Sequence, residues 1–377
     1  AVKVVNAGGV DAFRFHRKPL DVDQPHPKYG VTPATVIRRL ATAVHEIGLP
    51  HPLHVHCSNL GVAGNIESTL KTIAAADGLP IHLTHVQFHA YGDNPDNKFR
   101  YTSAASRIAR ALHDNPNVTI DVGQVMFGQT VTLSGDVAHQ HRNMRHAKPK
   151  KSVLLEIDGQ TGCGVVPFQY SRRSFVSSLQ WAIGLELFLM VDDPSRVFLT
   201  TDHPNGGPFD TYPHLLQLLM DASARATATA EIDSDAAAAT ELDGMNREYS
   251  LADVAMMTRA APAAILGMRD RGNLREGSIA DVVAYQPDDN LQKMFSRPAL
   301  VMRAGQVLDL EGDTDAVAEH ISHRAPKHCL IAEPIIHDLA AVQKHYPQLA
   351  GLHIGQEEMR EHLGTDCQTI ALSRRVR

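Results

Sequence analysis

Four short apolar runs in this sequence carry side chains that can bind a metal. Leu53-His54-Val55-His56 holds two imidazoles two residues apart. On a strand such residues share a face, so both rings point the same way, with His56 nearer the strand's end. Leu83-Thr84-His85-Val86 holds another imidazole, with His89 beyond it, and Thr200-Thr201-Asp202-His203 closes a later run. Lys3 lies in the opening run, Ala1-Val2-Lys3-Val4-Val5. Imidazole and carboxylate are natural ligands of a zinc that keeps one position open. Such a zinc supplies a nucleophile near neutral pH and polarises a carbonyl oxygen. An aspartate beside it can take a proton and pass it to a leaving nitrogen. Each residue alone has a plainer reading. A strand histidine packs in a core, Lys3 snorkels to water, Asp202 caps a loop, and Asn205-Gly206-Gly207 is a turn. In chain order, at successive strand ends, they point to one metal centre.

The elements that must position these groups alternate. Strands are predicted at residues 1–5, 53–57, 81–86, 118–122 and 196–201. Helices are predicted at 33–47, with Thr32 as cap and Pro33 opening the first turn, and at 65–76, 103–114 and 175–191. Strand–helix alternation predicts an α/β fold with a parallel sheet. Its many repeats suit a (β/α) barrel, whose functional groups gather at the C-terminal ends of the strands; an open doubly wound sheet is the alternative. The Ala-rich stretch 222–240 reads as a surface helix or helical insertion, and 250–266 as a helix capped by Ser250. Residues 272–285 and 299–310 read as short strands of a small β unit. Beyond Asp313 the chain is polar and His-rich, with helical stretches at 335–345 and 357–362. The expected domains are 1–268, 269–312 and a C-terminal tail, 313–377.

Composition limits the rest. The 377 residues, 43% hydrophobic, are enough for one large core and a smaller one. A formal net charge of −6 gives no general attraction to nucleic acid or anionic membrane. No apolar run is long enough to span a bilayer. Four scattered cysteines without a CxxC pair suit a reducing cytoplasm. Other residues carry two readings each. His89 is a substrate contact or a solvated loop histidine. The Gly-rich loop from Asn59 to Asn65 is an anion cradle or a plain βα turn. The basic residues Arg142, Arg145, Lys148, Lys150 and Lys151 attract an acidic ligand or partner, or form a solvated face. Cys163 approaches a ligand or is structural.

The order Lys3, His56, His85, Asp202 resembles the amidohydrolase superfamily, in which a lysine, two histidines and an aspartate come from strands four, five, six and eight. The segment from Gly272 to Val283 resembles the small β-sandwich that follows such barrels, and Gly305-Gln306-Val307-Leu308 its closing strand. Longer stretches are similar to one branch, the A subunits of formylmethanofuran dehydrogenase and of formyltransferase/hydrolase complexes. These stretches are KVVNAGG from Lys3, HVHCSNLGVAGN from His54, THVQFHAYG from Thr84, QWAIGLELFL from Gln180 and DDPSRVFLTTDHPNGGPF from Asp192. The resemblance implies strands four to eight of a barrel, with two zinc ions held by His56, His85, Asp202 and a carbamylated Lys3 that bridges them. It implies Asp202 as general base, with His54, Asn59, His89, His203 and Asn205 around the ligands or against substrate. It implies the formyl amide of formylmethanofuran as substrate and the other subunits of the complex as partners. The superfamily's strand-one His-x-His has no counterpart here. The chain is therefore expected to lack strands one to three and to be inactive alone. Another zinc amidohydrolase, of cyclic-amidase or deaminase type, and a scaffold protein of the same complex without catalysis remain the alternatives.

Overall fold

The structure, a computed structural model, describes residues 2–5, 20–27, 29–94, 101–134 and 164–308, with short strands at Leu330–Ala332 and Gln368–Ile370. Residues 6–9, the basic stretch 142–151, Cys163 and the tail helices expected at 335–345 and 357–362 lie outside the described residues. Five parallel strands form the central sheet: β1 (Lys3–Val5), β2 (Leu53–His56), β3 (Ile81–Leu83), β4 (Val118–Asp121) and β7 (Val197–Phe198). They lie side by side in chain order, with no reversal of the kind that marks a doubly wound sheet. This is a run of a (β/α) barrel.

The register sorts the two faces. Leu53, Ile81 and Val118 align, as do Val55, Leu83 and Ile120, and all six are buried. Lys3, His54, His82 and Thr119 align on the opposite face, as do Val5 and His56. One face is thus apolar, and the other carries the candidate ligands. The helices α1 (Pro33–Ile47), α2 (Ile66–Ala75), α3 (Ala105–Asp114) and α4 (Phe175–Met190) pack on one another in sequence. Helix α1 starts where expected, because the Thr32 hydroxyl accepts from the Thr35 N–H at 3.1 Å. It ends at Gly48, whose φ of 77° suits a left-handed cap. It buries Ile37, Ala41 and Val44. Helix α4 is buried on all sides from Ser177 to Leu189, as a helix apolar all round must be.

Several features differ from the sequence expectation, among them the end of β7 at Phe198, short of the expected Thr201. Strand β3 stops at Leu83, short of His85, and residues 86–89 form a 3₁₀ turn. An antiparallel ribbon, β5 (Gly128–Ser134) and β6 (Gly164–Tyr170), stands between β4 and α4. The alternation of Thr130-Val131-Thr132-Leu133-Ser134 was the available signal for β5, while Pro167 interrupts the pattern of β6. Further on, β8 (Val282–Ala284), β9 (Leu300–Arg303) and β10 (Gln306–Leu308) form a separate antiparallel sheet. Among the described residues no helix is long and apolar enough to cross a membrane.

Candidate metal centre

The end of β3 is bent by a single carboxylate. Asp121, at the end of β4, accepts the His85 backbone N–H at 2.8 Å and the Thr200 hydroxyl at 2.7 Å. His82 Nε2 donates to its other oxygen at 3.2 Å. In a neutral ring His82 Nδ1 then accepts from the Thr119 hydroxyl, 2.9 Å away. His85 so held takes φ 40° and ψ 52°, a left-handed conformation uncommon outside glycine. Asp202 is left-handed too, at φ 47°. Gly123 separates them. A Cβ at Gly123 would lie 2.5 Å from His85 Cβ and 3.5 Å from Asp202 Cβ. The two candidate ligands therefore approach across a position that only glycine fills. Asp121 and Gly123 were missed in the sequence; a carboxylate closing the 118–122 strand was the available signal.

Three imidazoles gather at this end of the sheet. The ring centroids of His56 and His85 are 4.4 Å apart, those of His56 and His89 5.3 Å, and those of His85 and His89 5.4 Å. One nitrogen from each lies within 4.8 Å of the others, which among the described residues is the one such group of three His, Cys, Asp or Glu side chains. Buried nitrogens without a hydrogen-bond partner are Nε2 of His56, Nδ1 of His85 and both of His89. Burial holds the His56 pKa down to about 3, with His85 and Lys3 adding to it. Burial, then His56 and His85, keeps His89 well below the usual value. The Ser58 backbone oxygen, near the ring but outside normal hydrogen-bond geometry, offsets part of this. Imidazole nitrogens left without a partner, two of the rings held neutral by burial, fit a metal of the zinc type.

Asp202 is not within that 4.8 Å group. Burial raises its pKa, and the Asp121 charge adds to the rise. His85, the Asn205 amide and Lys3 act the other way. Asn205 Nδ2 donates to Asp202 Oδ2 at 3.0 Å. The loop that carries both is gripped from the ribbon. The Tyr170 hydroxyl donates to the Asn205 carbonyl at 2.9 Å, and the Thr130 hydroxyl donates to the Pro204 carbonyl. Asp121 shows the opposite balance. Burial alone would raise its pKa, but the His82 ring, His85 and the Thr200 hydroxyl bring it down to about 2.

Four further expected residues have other surroundings. Lys3 is exposed, and its charge reaches His54, His56 and Asp202. His54 packs against His82 at 4.8 Å, and its Nε2 has no hydrogen-bond partner. Burial, then His82 and His51, lowers its pKa to about 4. Asn59 is taken up by the helix that follows its loop, donating to the Ser68 hydroxyl of α2 at 2.8 Å. His203 stacks flat on the exposed Phe209, with centroids 3.7 Å apart.

Residues 19–309 match the Amidohydrolase family. Among the A subunits, that of the formyltransferase/hydrolase complex Fhc of Methylorubrum extorquens is 48% identical over 318 residues, which is 84% of this chain and 58% of that protein. Protein FwdA of Methanocaldococcus jannaschii is 35% identical over 332 residues, covering 83% of this chain and 58% of its own length. The chain thus spans about 58% of each of these two relatives. The crystal structure of the Methylorubrum extorquens formyltransferase/hydrolase complex with methylofuran contains a similar chain. There the TM-score is 0.80 and the identity 39%, over 99% of this chain and 68% of that one.

Proposed function

Because the chain belongs to the amidohydrolase family, we propose that it supplies the zinc centre for hydrolysis, or the reverse condensation, of the formyl amide of formylmethanofuran. The products are formate and methanofuran, a step of one-carbon metabolism. The observation that carries the reading is the buried pair His56 and His85, 4.4 Å apart, each with an imidazole nitrogen that has no hydrogen-bond partner. In the family pattern His56, His85, Asp202 and a carbamylated Lys3 hold two zinc ions. When bound, zinc supplies Lewis acidity, giving a nucleophile near neutral pH and a polarised formyl carbonyl.

The chain's own residues handle the proton. Asp202 takes it from the attacking water and delivers it to the leaving nitrogen. A pKa raised by burial brings this carboxyl nearer to working pH, where a group can both accept and return a proton. Asn205 fixes the carboxylate by its 3.0 Å bond. His54 and His203 support from the sheet side and the loop side. The acceptor coenzyme and the other subunits of a formyltransferase/hydrolase or dehydrogenase complex, in the cytoplasm, belong to the same reading. Support comes from the relative crystallised with methylofuran.

The test is formate release from formylmethanofuran by the native assembly. Asp202→Asn is expected to lose about 10²–10⁴-fold in rate, the usual cost of removing a general base. A rate close to that of the unaltered protein sinks the mechanism. Normal zinc content in such an active variant would then favour another base.

A further inference from the structure

We propose that His89 is itself a metal ligand, so that this chain offers a three-imidazole set, His56, His85 and His89, to one zinc ion. The inference rests on the metal-centre reading given above and adds to it a residue outside the Lys3, His56, His85, Asp202 pattern.

The turn after His85 decides where the third ring lies. The left-handed backbone of His85 starts a 3₁₀ turn that ends at His89. That turn returns the His89 ring over the His85 ring, with the planes 28° apart. His56, on the neighbouring strand β2, meets both rings edge-on, at 73° and 79°. The turn's backbone is tied down on several sides. The Phe88 carbonyl accepts from Asn65 Nδ2 at 2.8 Å and from the Gly61 N–H at 3.0 Å. The His89 carbonyl accepts from the Thr69 hydroxyl at 2.8 Å. These neighbours are spent on the backbone and not on the ring. The ring is left completely buried, at 0% exposure, with neither nitrogen in normal hydrogen-bond geometry and the Ser58 backbone oxygen as the one acceptor near it.

A buried polar atom without a partner costs about 1–3 kcal/mol, and buried polar groups are seldom left so. Here three adjacent imidazoles share the defect and aim nitrogens at one another within 4.8 Å. Two tetrahedral ligands at about 2.0–2.1 Å from a common zinc stand about 3.4 Å apart, so a small inward rotation of the rings closes the set. On a tetrahedral ion three imidazoles would leave a fourth position, which the Lys3 carbamate of the family pattern or a water would take.

The test is a crystal structure of the zinc-loaded native assembly, with the metal located by anomalous scattering at the zinc edge. A His89 nitrogen about 2.0–2.1 Å from a zinc that also binds His56 or His85 is the expected result. Zinc bound to His56 or His85 with His89 beyond bonding distance, or a water in the centre of the three rings, overturns it. In parallel, His89→Gln, close in size to the native side chain, is titrated with zinc after metal removal. At least a 100-fold weaker affinity is expected, beyond the loss of about 10–100-fold that follows removal of a merely supporting partner. Affinity within about threefold of the unaltered protein overturns the proposal, being smaller than even that supporting loss. Neither readout uses formate. An assembly that shows the His89–zinc bond yet releases no formate keeps this inference and rejects the reaction; an active one without the bond does the reverse.

Discussion

At the scale of single residues, the centre depends on Gly123. Its φ of 67° and the 2.5 Å that would separate an added Cβ from His85 Cβ leave no room for a side chain. Gly123→Ala is expected to cost about 1–3 kcal/mol through strain and overpacking. It should also push His85 away from Asp202 and lower zinc affinity. Urea unfolding and zinc titration measure the two effects, and unchanged values in both would show that the site tolerates a wider gap. The histidines add a pH dependence whose sign follows from their burial. His56 is held down to about 3 in the folded chain and returns to about 6.5 when unfolded. Between those values the unfolded chain binds more protons. The stability contributed by a neutral His56 is therefore complete above about pH 6.5 and declines as pH falls toward 3. Without metal, the protein should lose more stability between about pH 7.5 and 5 than His56→Gln does. Equal losses in paired urea titrations would contradict this.

At the scale of elements, the β5–β6 ribbon holds the loop from Asp202 to Asn205 in place. Tyr170→Phe removes the 2.9 Å bond to the Asn205 carbonyl with little change of shape. About 0.5–1.5 kcal/mol should be lost, and formate release should fall while zinc content is kept. A variant with full rate would show that the ribbon grips a loop that needs no grip. This ribbon also marks the limit of what could be read beforehand. The parallel strands were legible because their apolar runs are short and bounded by turn residues, and α1 because Thr32 and Pro33 announce its start. His56 was legible as a strand-end group, and His85 and Asp202 as groups that lie just past one. His89 was legible as a residue near the ligands or the substrate, but not its place over the His85 ring, which depends on a left-handed His85. Asp121 fixes that conformation by a contact 36 residues away in sequence. Ribbon pairing and hydrogen bonds across strands are likewise tertiary facts that local periodicity does not carry.

At the scale of the whole molecule, the parallel sheet brings residues from the opening strand to the loop after β7 onto one face, while Arg196 ties the end of α3 to the start of β4. Its guanidinium donates to the carbonyls of Leu112, Asn115 and Val118 at 2.8, 2.6 and 2.7 Å. The anchoring of His85 by Asp121 has a consequence in time. The His85 N–H finds its acceptor only after β4 has paired with β3, and the Thr200 hydroxyl joins that acceptor only after β7 has added to β4. We therefore expect the three imidazoles to take their final spacing only once β3 and β4 have paired, and to be fixed there when β7 has joined. A zinc ion would meet a finished nest rather than recruit its ligands from a loose chain. Contacts made after the rate-limiting step slow escape from the folded state without speeding arrival. Zinc should accordingly lengthen the unfolding half-life in a denaturant jump and leave the refolding rate as it is; faster refolding with zinc would mean that the ion gathers its histidines early.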